Sequence, residues 1–305
     1  MPLSLDHVKI DAVKNDEASE QTTYQFAQSP APQMESRLPS VQRRRRCRTS
    51  NCSASTTSPP NVHAQFKNGF VCGFLPGDSL NVKSVREEKI VKRICEKLAK
   101  MHRIPVKPPQ TPFLFSKAQQ FLENIPERYE HADKQREYER LFADVRFEEH
   151  LEHLKKILDD VKVDTQVLCH NDLLVHNLLY DDESDEVHII DYEYTAVNYQ
   201  LFDVANHFCE YAGVEEVNYD LCPDDEEKAR FLSIYLTHYF ERPPTDDELR
   251  TALKEIPRFE AASHLFWTLW ALVQANSSEI DFDYVAYAGK RLDQFNRIIS
   301  SLEHK

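Results

Sequence analysis

The sequence feature that most constrains the fold is a series of short apolar runs separated by polar loops between residues 167 and 194. The runs 167–169, 178–180 and 187–190 each have the length and composition of a short strand. The turn between the last two runs, DDESD at 181–185, carries too much charge to be buried. We therefore predict a small β insert with polar loops at the ends of its strands.

The loops of this insert hold two carboxylates and an amide in a fixed order. Asp172 and Asn177 lie five residues apart on the loop between the first two predicted strands, and Asp191 ends the third. Phosphoryl transfer needs such a set, because one carboxylate accepts the proton of the attacking hydroxyl while an amide oxygen and a second carboxylate hold Mg²⁺. A polar hairpin that merely collects acidic residues is the alternative. The ordered series favours a phosphotransfer site that uses ATP and Mg²⁺.

Most of the chain after residue 80 is predicted to be helical. Ser84 with Glu87 three residues later has the spacing of a capping box, and Thr245 with Glu248 repeats that spacing. The apolar residues that follow Ser84 recur with the period of an amphipathic helix. Further helices are predicted over 146–161, 258–275 and 283–301. The expected fold class is α+β, a mostly helical lobe with a small β insert that carries the polar motifs.

Residues 61–80 are predicted to form the remnant of a β-rich lobe. Asn68-Gly69 is a turn signal, the apolar run 70–75 follows it, and Pro76-Gly77 forms a second turn. This pattern predicts a hairpin that ends in an edge strand. An exposed edge of this kind favours association with a second chain, so a homodimer is a further expectation.

Residues 1–60 have the composition of a disordered segment. Seven of the fourteen residues at 47–60 are Ser or Thr, which leaves little apolar surface to offset the entropy of ordering. The arginine run 43–46 has two interpretations, a nuclear-import or lipid-headgroup patch and a solvated basic segment. The expected division of the chain is 1–60, 61–80 and a catalytic lobe at 81–305.

Charge and cysteine content limit the class of protein. The net charge of −14 argues against a nucleic-acid partner, which would need basic surface for its phosphates. No apolar run has the length of an integral membrane segment, and the polar first residues do not resemble a secretory signal. The seven cysteines show no close CxxC pair, so we expect reduced thiols and a cytoplasmic protein.

The segment 169–194 resembles the catalytic and metal loops shared by protein kinases, aminoglycoside phosphotransferases and choline/ethanolamine kinases. Protein kinases usually have Arg after the loop His, where this chain has Asn171, and Phe-Gly after the metal Asp, where it has Tyr192-Glu193. The segments 192–219 and 262–295 are similar to the choline/ethanolamine kinase family. The resemblance covers about 64–305 and implies a protein-kinase-like fold.

The resemblance also implies roles for the loop residues. It makes Asp172 the catalytic base, and Asn177 and Asp191 the magnesium ligands. Glu193 matches an acid beside the metal and is expected to bind substrate. The structural residues of the loop are expected to be His170, Asn171 and Asp203, the last through hydrogen bonds.

The same resemblance implies a pocket for a protonated amine, which favours a carboxylate and aromatic faces. Glu210 matches the acid that binds the acceptor, Trp267 and Trp270 match the cation pocket, and Tyr287 is a further candidate. Ordinary core packing is the alternative for the two tryptophans. The longer match at 210–223 favours ethanolamine, whereas 207–210 is closer to choline kinases.

The sequence offers fewer candidate residues for binding ATP than for binding the acceptor. Gly73, Phe74 and Leu75 are expected to form the ATP hinge. No glycine precedes Gly69, so the sequence has no upstream glycine-rich phosphate loop, and no lysine before residue 68 lies in a strand-like run. Three hypotheses remain: an ethanolamine kinase, with choline kinase activity as its alternative; a pseudokinase that binds amine or a kinase partner without turnover; and, less favoured, a protein kinase.

Overall fold

The structure is a computed structural model that describes residues 24–28, 62–66, 69–163, 165–214 and 216–304. Helices account for most of this described part, and three small antiparallel sheets account for its strands. The predicted α+β class is confirmed. None of the described helices has the length and apolar character needed to cross a membrane.

The first sheet joins a predicted hairpin to a strand that the sequence did not predict. Its strands are β1 (Tyr24–Gln28), β2 (Val62–Phe66) and β3 (Gly69–Gly73), in the order β1-β3-β2. The hairpin of β2 and β3 is present, with Phe66 opposite Gly69. β3 is not an edge strand, because β1 pairs along its other side, so the edge prediction is wrong. β1 also differs from the disorder expected for residues 1–60; the arginine run 43–46 lies outside the described residues.

Two further sheets surround the polar loops. One contains β4 (Asp78–Ser79), β6 (Leu178–Asp181) and β7 (Glu186–Ile189), in the order β4-β6-β7. The other pairs β5 (Gln166–Cys169) with β8 (Ala196–Tyr199). The three strands predicted for this region are therefore confirmed, whereas β8 was not predicted.

A glycine lets the segment after the first sheet approach β6. Gly77 has a φ of +113°, and a Cβ atom there would lie 2.7 Å from the carbonyl carbon of Tyr180. Only glycine combines this conformation with so close an approach. β4 starts at the next residue and pairs with β6, so Gly77 joins the first sheet to the strands of the predicted site.

Eight α-helices occur in the described part of the chain. They are α1 (Glu88–His102), α2 (Phe113–Leu122), α3 (Ala132–Phe142), α4 (Phe147–Asp159), α5 (Gln200–Cys209), α6 (Asp225–Phe240), α7 (Asp246–Ser277) and α8 (Tyr284–Glu303). The helices predicted over 146–161 and 283–301 are confirmed as α4 and α8. The helix predicted over 258–275 is part of α7, which begins earlier and continues through Pro257.

One of the two predicted capping boxes is present. The Glu248 N–H donates to Thr245 Oγ1 (3.2 Å) and the Thr245 N–H donates to Glu248 Oε2 (2.7 Å), which starts α7. The box at Ser84 is wrong. Ser84 begins a 3-10 turn, its Oγ accepts from the Asn81 N–H (2.9 Å), and α1 begins only at Glu88. The local spacing was right, but the hydroxyl closes a turn with Asn81 instead of capping the helix.

The long helix α7 lies at the centre of the helical lobe. It packs against five other helices, α2, α4, α5, α6 and α8. Phe266 on α7 makes ring contacts with Phe121 of α2 (5.3 Å between centroids) and Phe202 of α5 (5.9 Å). Aromatic contacts of this kind fix α5 beside α7. Asp203, predicted to steady the loop, lies on α5, and Trp267 and Trp270, predicted to bind the acceptor, lie on α7.

Candidate active site

Asp203 of α5 holds the backbone of the catalytic loop. Its Oδ2 accepts from the His170 N–H and its Oδ1 from the Asn171 N–H, both at 2.6 Å. His102 of α1 donates from Nε2 to Oδ2 (3.1 Å). Asp203 is fully buried, and charge-assisted bonds of this type are stronger than those between neutral groups. The two residues before Asp172 are thereby fixed in position.

α5 also holds the loop on the other side of Asp172. His207 donates from Nδ1 to the Leu173 carbonyl (3.1 Å), and burial lowers the pKa of His207 to about 4. The ring is therefore neutral at physiological pH, as a buried donor to a carbonyl needs to be. His207 was not predicted; its spacing of four residues from Asp203, which puts both on one face of a helix, is the signal that could have found it.

Asn171 adopts a left-handed conformation and joins the loop to the segment after β7. Its φ is +68°, a region that Asn tolerates better than most residues. Its Nδ2 donates to the Tyr194 carbonyl (2.9 Å), and its Oδ1 accepts from Asn198 Nδ2 (2.8 Å). The Asn that distinguished this loop from that of protein kinases thus makes internal hydrogen bonds and is fully buried.

His170 is a buried packing residue of the loop. Its Nε2 lies 2.9 Å from the Ile190 carbonyl, and its ring packs edge-on against Tyr192 at 5.2 Å. Burial lowers the pKa of His170. A neutral ring that donates from Nε2 fits these contacts, and it fixes the loop to the residue that precedes Asp191.

Asp172 lies in a strongly negative environment. It is 7% exposed, and its pKa is raised well above the usual value, first by burial and then by the charges of Glu210, Asp191 and Glu193. Three of the predicted acidic residues, Glu210, Asp191 and Glu193, are therefore close enough to act on Asp172. A carboxylate with a raised pKa is suited to accept a proton, and the negative surroundings favour a bound cation.

Asn177 and Asp191 have the ligand types of a magnesium site. Asn177 donates from Nδ2 to the Asp172 carbonyl (2.9 Å), so its amide oxygen is the atom that a metal ion could bind. The backbone carbonyl of Asn177 accepts a hydrogen bond from the Ile190 N–H (2.9 Å). Asp191 is exposed and has a φ of +62°, a conformation that is uncommon outside glycine. One carboxylate and one amide oxygen fit the hard-oxygen preference of Mg²⁺.

On the acceptor side, Glu210 forms a buried ion pair that the sequence did not predict. Arg291 of α8 donates from Nη2 to Glu210 Oε1, and both side chains are almost completely buried. Arg291 also donates from Nε to the Tyr287 hydroxyl (2.8 Å). The spacing of four residues between Tyr287 and Arg291 puts both on one helix face, and this was the signal available for Arg291.

The two tryptophans lie in contact with each other and with Tyr194. Trp267 and Trp270 pack edge-on at 5.3 Å, Tyr194 packs against Trp267 at 5.6 Å, and Trp270 Nε1 donates to the Tyr194 hydroxyl (2.9 Å). Trp267 is 5% exposed, and its Nε1 donates to Asn206 Oδ1 (2.7 Å). Trp270 is only partly buried. The pair is therefore one aromatic wall with a more open end at Trp270, and Tyr194 and Asn206 are members that sequence reasoning missed.

The predicted hinge lies on the segment between the first two sheets. Gly73 is the last residue of β3, and Phe74 is 54% exposed. Leu75 follows before the turn that leads to β4. The assignment of Gly73, Phe74 and Leu75 to ATP stays a prediction.

A comparison with protein families gives one match, to the model described as choline/ethanolamine kinase, over residues 40–296. "Ethanolamine kinase" of Drosophila melanogaster is 37% identical over 244 residues, which cover 77% of this chain and 47% of the fly protein. "Ethanolamine kinase 1" of Homo sapiens is 35% identical over 247 residues, which cover 77% of this chain and 54% of the human protein. The chain thus spans about half the length of these two relatives.

Solved structures show the same fold. The ethanolamine kinase of Plasmodium vivax has a TM-score of 0.75 at 24% identity, and the match covers 90% of this chain and 76% of that one. The choline kinase of Cryptosporidium parvum has a TM-score of 0.69 at 22% identity, covering 88% and 80%. Since the family model matches far more than half of the residues, this chain belongs to the choline/ethanolamine kinase family.

Proposed function

We propose that this chain transfers a phosphoryl group from ATP to ethanolamine, which gives phosphoethanolamine, the first step of phosphatidylethanolamine synthesis. The observation that carries the proposal is the constellation of Asp172, Asn177 and Asp191 on a loop fixed by α5. The names of the curated relatives support ethanolamine as the acceptor. Choline is the alternative acceptor within the same reaction.

In this proposal Asp172 is the catalytic base. Its carboxylate orients the hydroxyl of the amino alcohol toward the γ-phosphate and accepts the hydroxyl proton as the new P–O bond forms and the bond from the γ-phosphorus to the ADP oxygen breaks, which releases ADP. The raised pKa of Asp172 makes it a better proton acceptor once it is ionised. The loop hydrogen bonds keep it in place, which is what a positioned general base needs.

Asn177 and Asp191 would hold Mg²⁺ through their side-chain oxygens, and Glu193 lies beside them as a further acid that influences Asp172. When bound, the ion neutralises the charge of the phosphates. The amide nitrogen of Asn177 is bonded to the Asp172 carbonyl, so base and ligand are oriented relative to each other.

The ammonium group of the acceptor would lie between Glu210 and the aromatic side chains. Trp267, Trp270 and Tyr287 supply ring faces, to which a cation is attracted by the ring quadrupole. Glu210 supplies a carboxylate close enough to influence Asp172. In this proposal the ammonium would lie near Asp172, the base that receives the proton from the hydroxyl end of the acceptor.

The donor side supports a second candidate function, a pseudokinase that binds amine without turnover. The specific observation is that residues 1–68 contain no glycine, so this stretch of the sequence does not itself supply a glycine-rich loop to the hinge at Gly73, Phe74 and Leu75. Such a loop supplies donors to the ATP phosphates, and losing one donor of this type costs about a hundredfold or more in rate. Amine binding without product would favour this candidate.

We also propose a cytoplasmic site of action, supported by Cys95, Cys169, Cys209 and Cys222, all of which are free. A homodimer stays a prediction. The edge of β3 cannot mediate it, because β1 already pairs there.

The deciding experiment incubates the purified chain with labelled ATP, Mg²⁺ and either ethanolamine or choline, and measures the phosphorylated product. We expect phosphoethanolamine to form, with a higher kcat/KM for ethanolamine than for choline. Parallel calorimetry measures amine binding. Binding of ethanolamine without product would replace the kinase proposal by the pseudokinase, and a higher kcat/KM for choline would contradict the choice of acceptor.

A further inference from the structure

The two oxygens of Glu210 have different surroundings. Oε1 accepts from Arg291, whereas Oε2 is buried and has no hydrogen-bond partner among the described residues. A buried carboxylate oxygen without a donor is costly, and native proteins rarely leave one unfilled. Oε2 therefore marks a position where a donor from outside the described chain would be stabilised.

The orientation of Arg291 toward Glu210 is held by contacts of its other two guanidinium nitrogens. Nε donates to the Tyr287 hydroxyl (2.8 Å), and Nη1 lies 3.3 Å from His264 Nδ1. Arginine has no acceptor, so His264 Nδ1 must be the unprotonated nitrogen of a neutral ring. Burial and the Arg291 charge lower the pKa of His264 well below its usual range, which agrees with a neutral ring. The rigid fork thus determines which oxygen of Glu210 it contacts.

The carboxylates of Glu210 and Asp172 are close enough for their charges to influence the same neighbouring groups. After burial, Glu210 is the largest cause of the raised pKa of Asp172. Burial also raises the pKa of Tyr287, and both carboxylates add to that rise. The unpartnered oxygen therefore belongs to a side chain that borders the proposed acceptor pocket.

We propose that Arg291 is a positioning residue that leaves Oε2 of Glu210 as the hydrogen-bond acceptor for a primary ammonium, and that it thereby favours ethanolamine over choline. This inference rests on the proposed function. The ammonium of ethanolamine has N–H donors, whereas the quaternary ammonium of choline has none and gains only from charge and ring faces. Arg291 offsets the charge of Glu210, which weakens the attraction on which choline depends, while it keeps the acceptor oxygen in place.

The test is calorimetric titration of ethanolamine and of choline into the wild-type chain, Arg291→Met, Arg291→Lys and the control Arg258→Met. Arg258 contacts another buried glutamate, Glu255 on α7, outside the proposed pocket. We expect Arg291→Met to lose about tenfold or more in ethanolamine affinity, the effect of one charge-assisted hydrogen bond. Choline affinity should stay within about twofold or rise, Arg291→Lys should lose less, and the control should match wild type.

Equal losses for the two amines in Arg291→Met, or unchanged affinities, would overturn the inference. Thermal denaturation checks that each variant folds. If Arg291→Met does not fold, Arg291→Lys decides, with an expected loss of about threefold for ethanolamine and none for choline. A wild-type chain that binds neither amine would overturn the proposed function and with it this inference. Failure of the proposed function can be distinguished from failure of this inference alone, because the wild-type titration by itself decides whether the proposed function fails.

Discussion

The catalytic loop and the acceptor pocket both depend on α5 and the residue after it, but they are fixed by different kinds of partner. Asp203 accepts from two backbone N–H groups of the loop. Glu210, which caps the C-terminal end of the same helix, accepts from a side chain, Arg291, 81 residues further along the chain. One carboxylate has both oxygens occupied, whereas the other has one oxygen without a partner.

Under the proposed function, this difference separates the residues that carry out the reaction from those that select the amine. A backbone N–H is present whatever the side chain, so a loop held by Asp203 keeps its geometry when its side chains change. The acceptor pocket is held by side chains, and a single substitution can change which atoms face the substrate. A fold of this design can keep one phosphotransfer geometry and vary the amine that it accepts.

The largest expected effect is on kcat, when Asp172, the proposed base on the loop, is replaced. Asp172→Ala should lower kcat by about 10²–10⁴-fold, because the proton acceptor is removed. The melting temperature should fall little or rise, since a buried carboxylate with a raised pKa is lost. Steady-state kinetics and thermal denaturation measure both. Asp182→Ala, on the exposed turn between β6 and β7, is the control, and near-normal turnover in Asp172→Ala would exclude its role as base.

The second effect tests whether Asp203 holds the loop. Asp203→Ala leaves two buried N–H groups and His102 without their acceptor, so we expect a loss of at least about 3 kcal/mol in the free energy of unfolding. Urea denaturation gives the value. The exposed Asp220→Ala should be close to neutral. If Asp203→Ala is as stable as Asp220→Ala, the contrast between the two regions is wrong.

The third effect separates the metal side from the amine side. Asp191→Asn should weaken Mg²⁺-dependent nucleotide binding by about ten- to hundredfold, because the ion loses an anionic ligand. Ethanolamine affinity should not change. Calorimetry of nucleotide with and without Mg²⁺ measures the first quantity. Unchanged Mg²⁺-dependent affinity would remove Asp191 from the proposed site.

The smallest expected effect is a shift in the pH dependence of kcat/KM, which tests whether Glu210 in the proposed acceptor pocket influences Asp172 on the loop. The active form of Asp172 is the carboxylate, so kcat/KM should fall as the pH drops through its raised pKa. Glu210→Gln removes a negative charge that raises this pKa, so the acidic limb should move to lower pH by about one unit or less. The profile of kcat/KM against pH measures the shift. An unmoved limb would show that the two carboxylates do not influence each other.

The sequence determined the short-range features. The strands β5, β6 and β7, the helices α4 and α8 and the order of Asp172, Asn177 and Asp191 follow from local patterns of apolar and polar residues. The capping box at Thr245 also followed from spacing, whereas the same spacing at Ser84 did not, because Asn81 takes up the hydroxyl. Local spacing is thus reliable only where no nearby N–H group competes for the same acceptor.

The tertiary structure alone decided the partners that are distant in sequence. β1 pairs with β3 across more than 40 residues, which no local pattern predicts. The pairing of Glu210 with Arg291, and the contact of Tyr194 with both tryptophans, likewise depend on how α5, α7 and α8 pack. The sequence by itself determined which residues are candidates for the proposed chemistry, because their types and spacing are local. Only the fold decided which oxygen of Glu210 is free, because a buried ion pair forms where packing brings its members together.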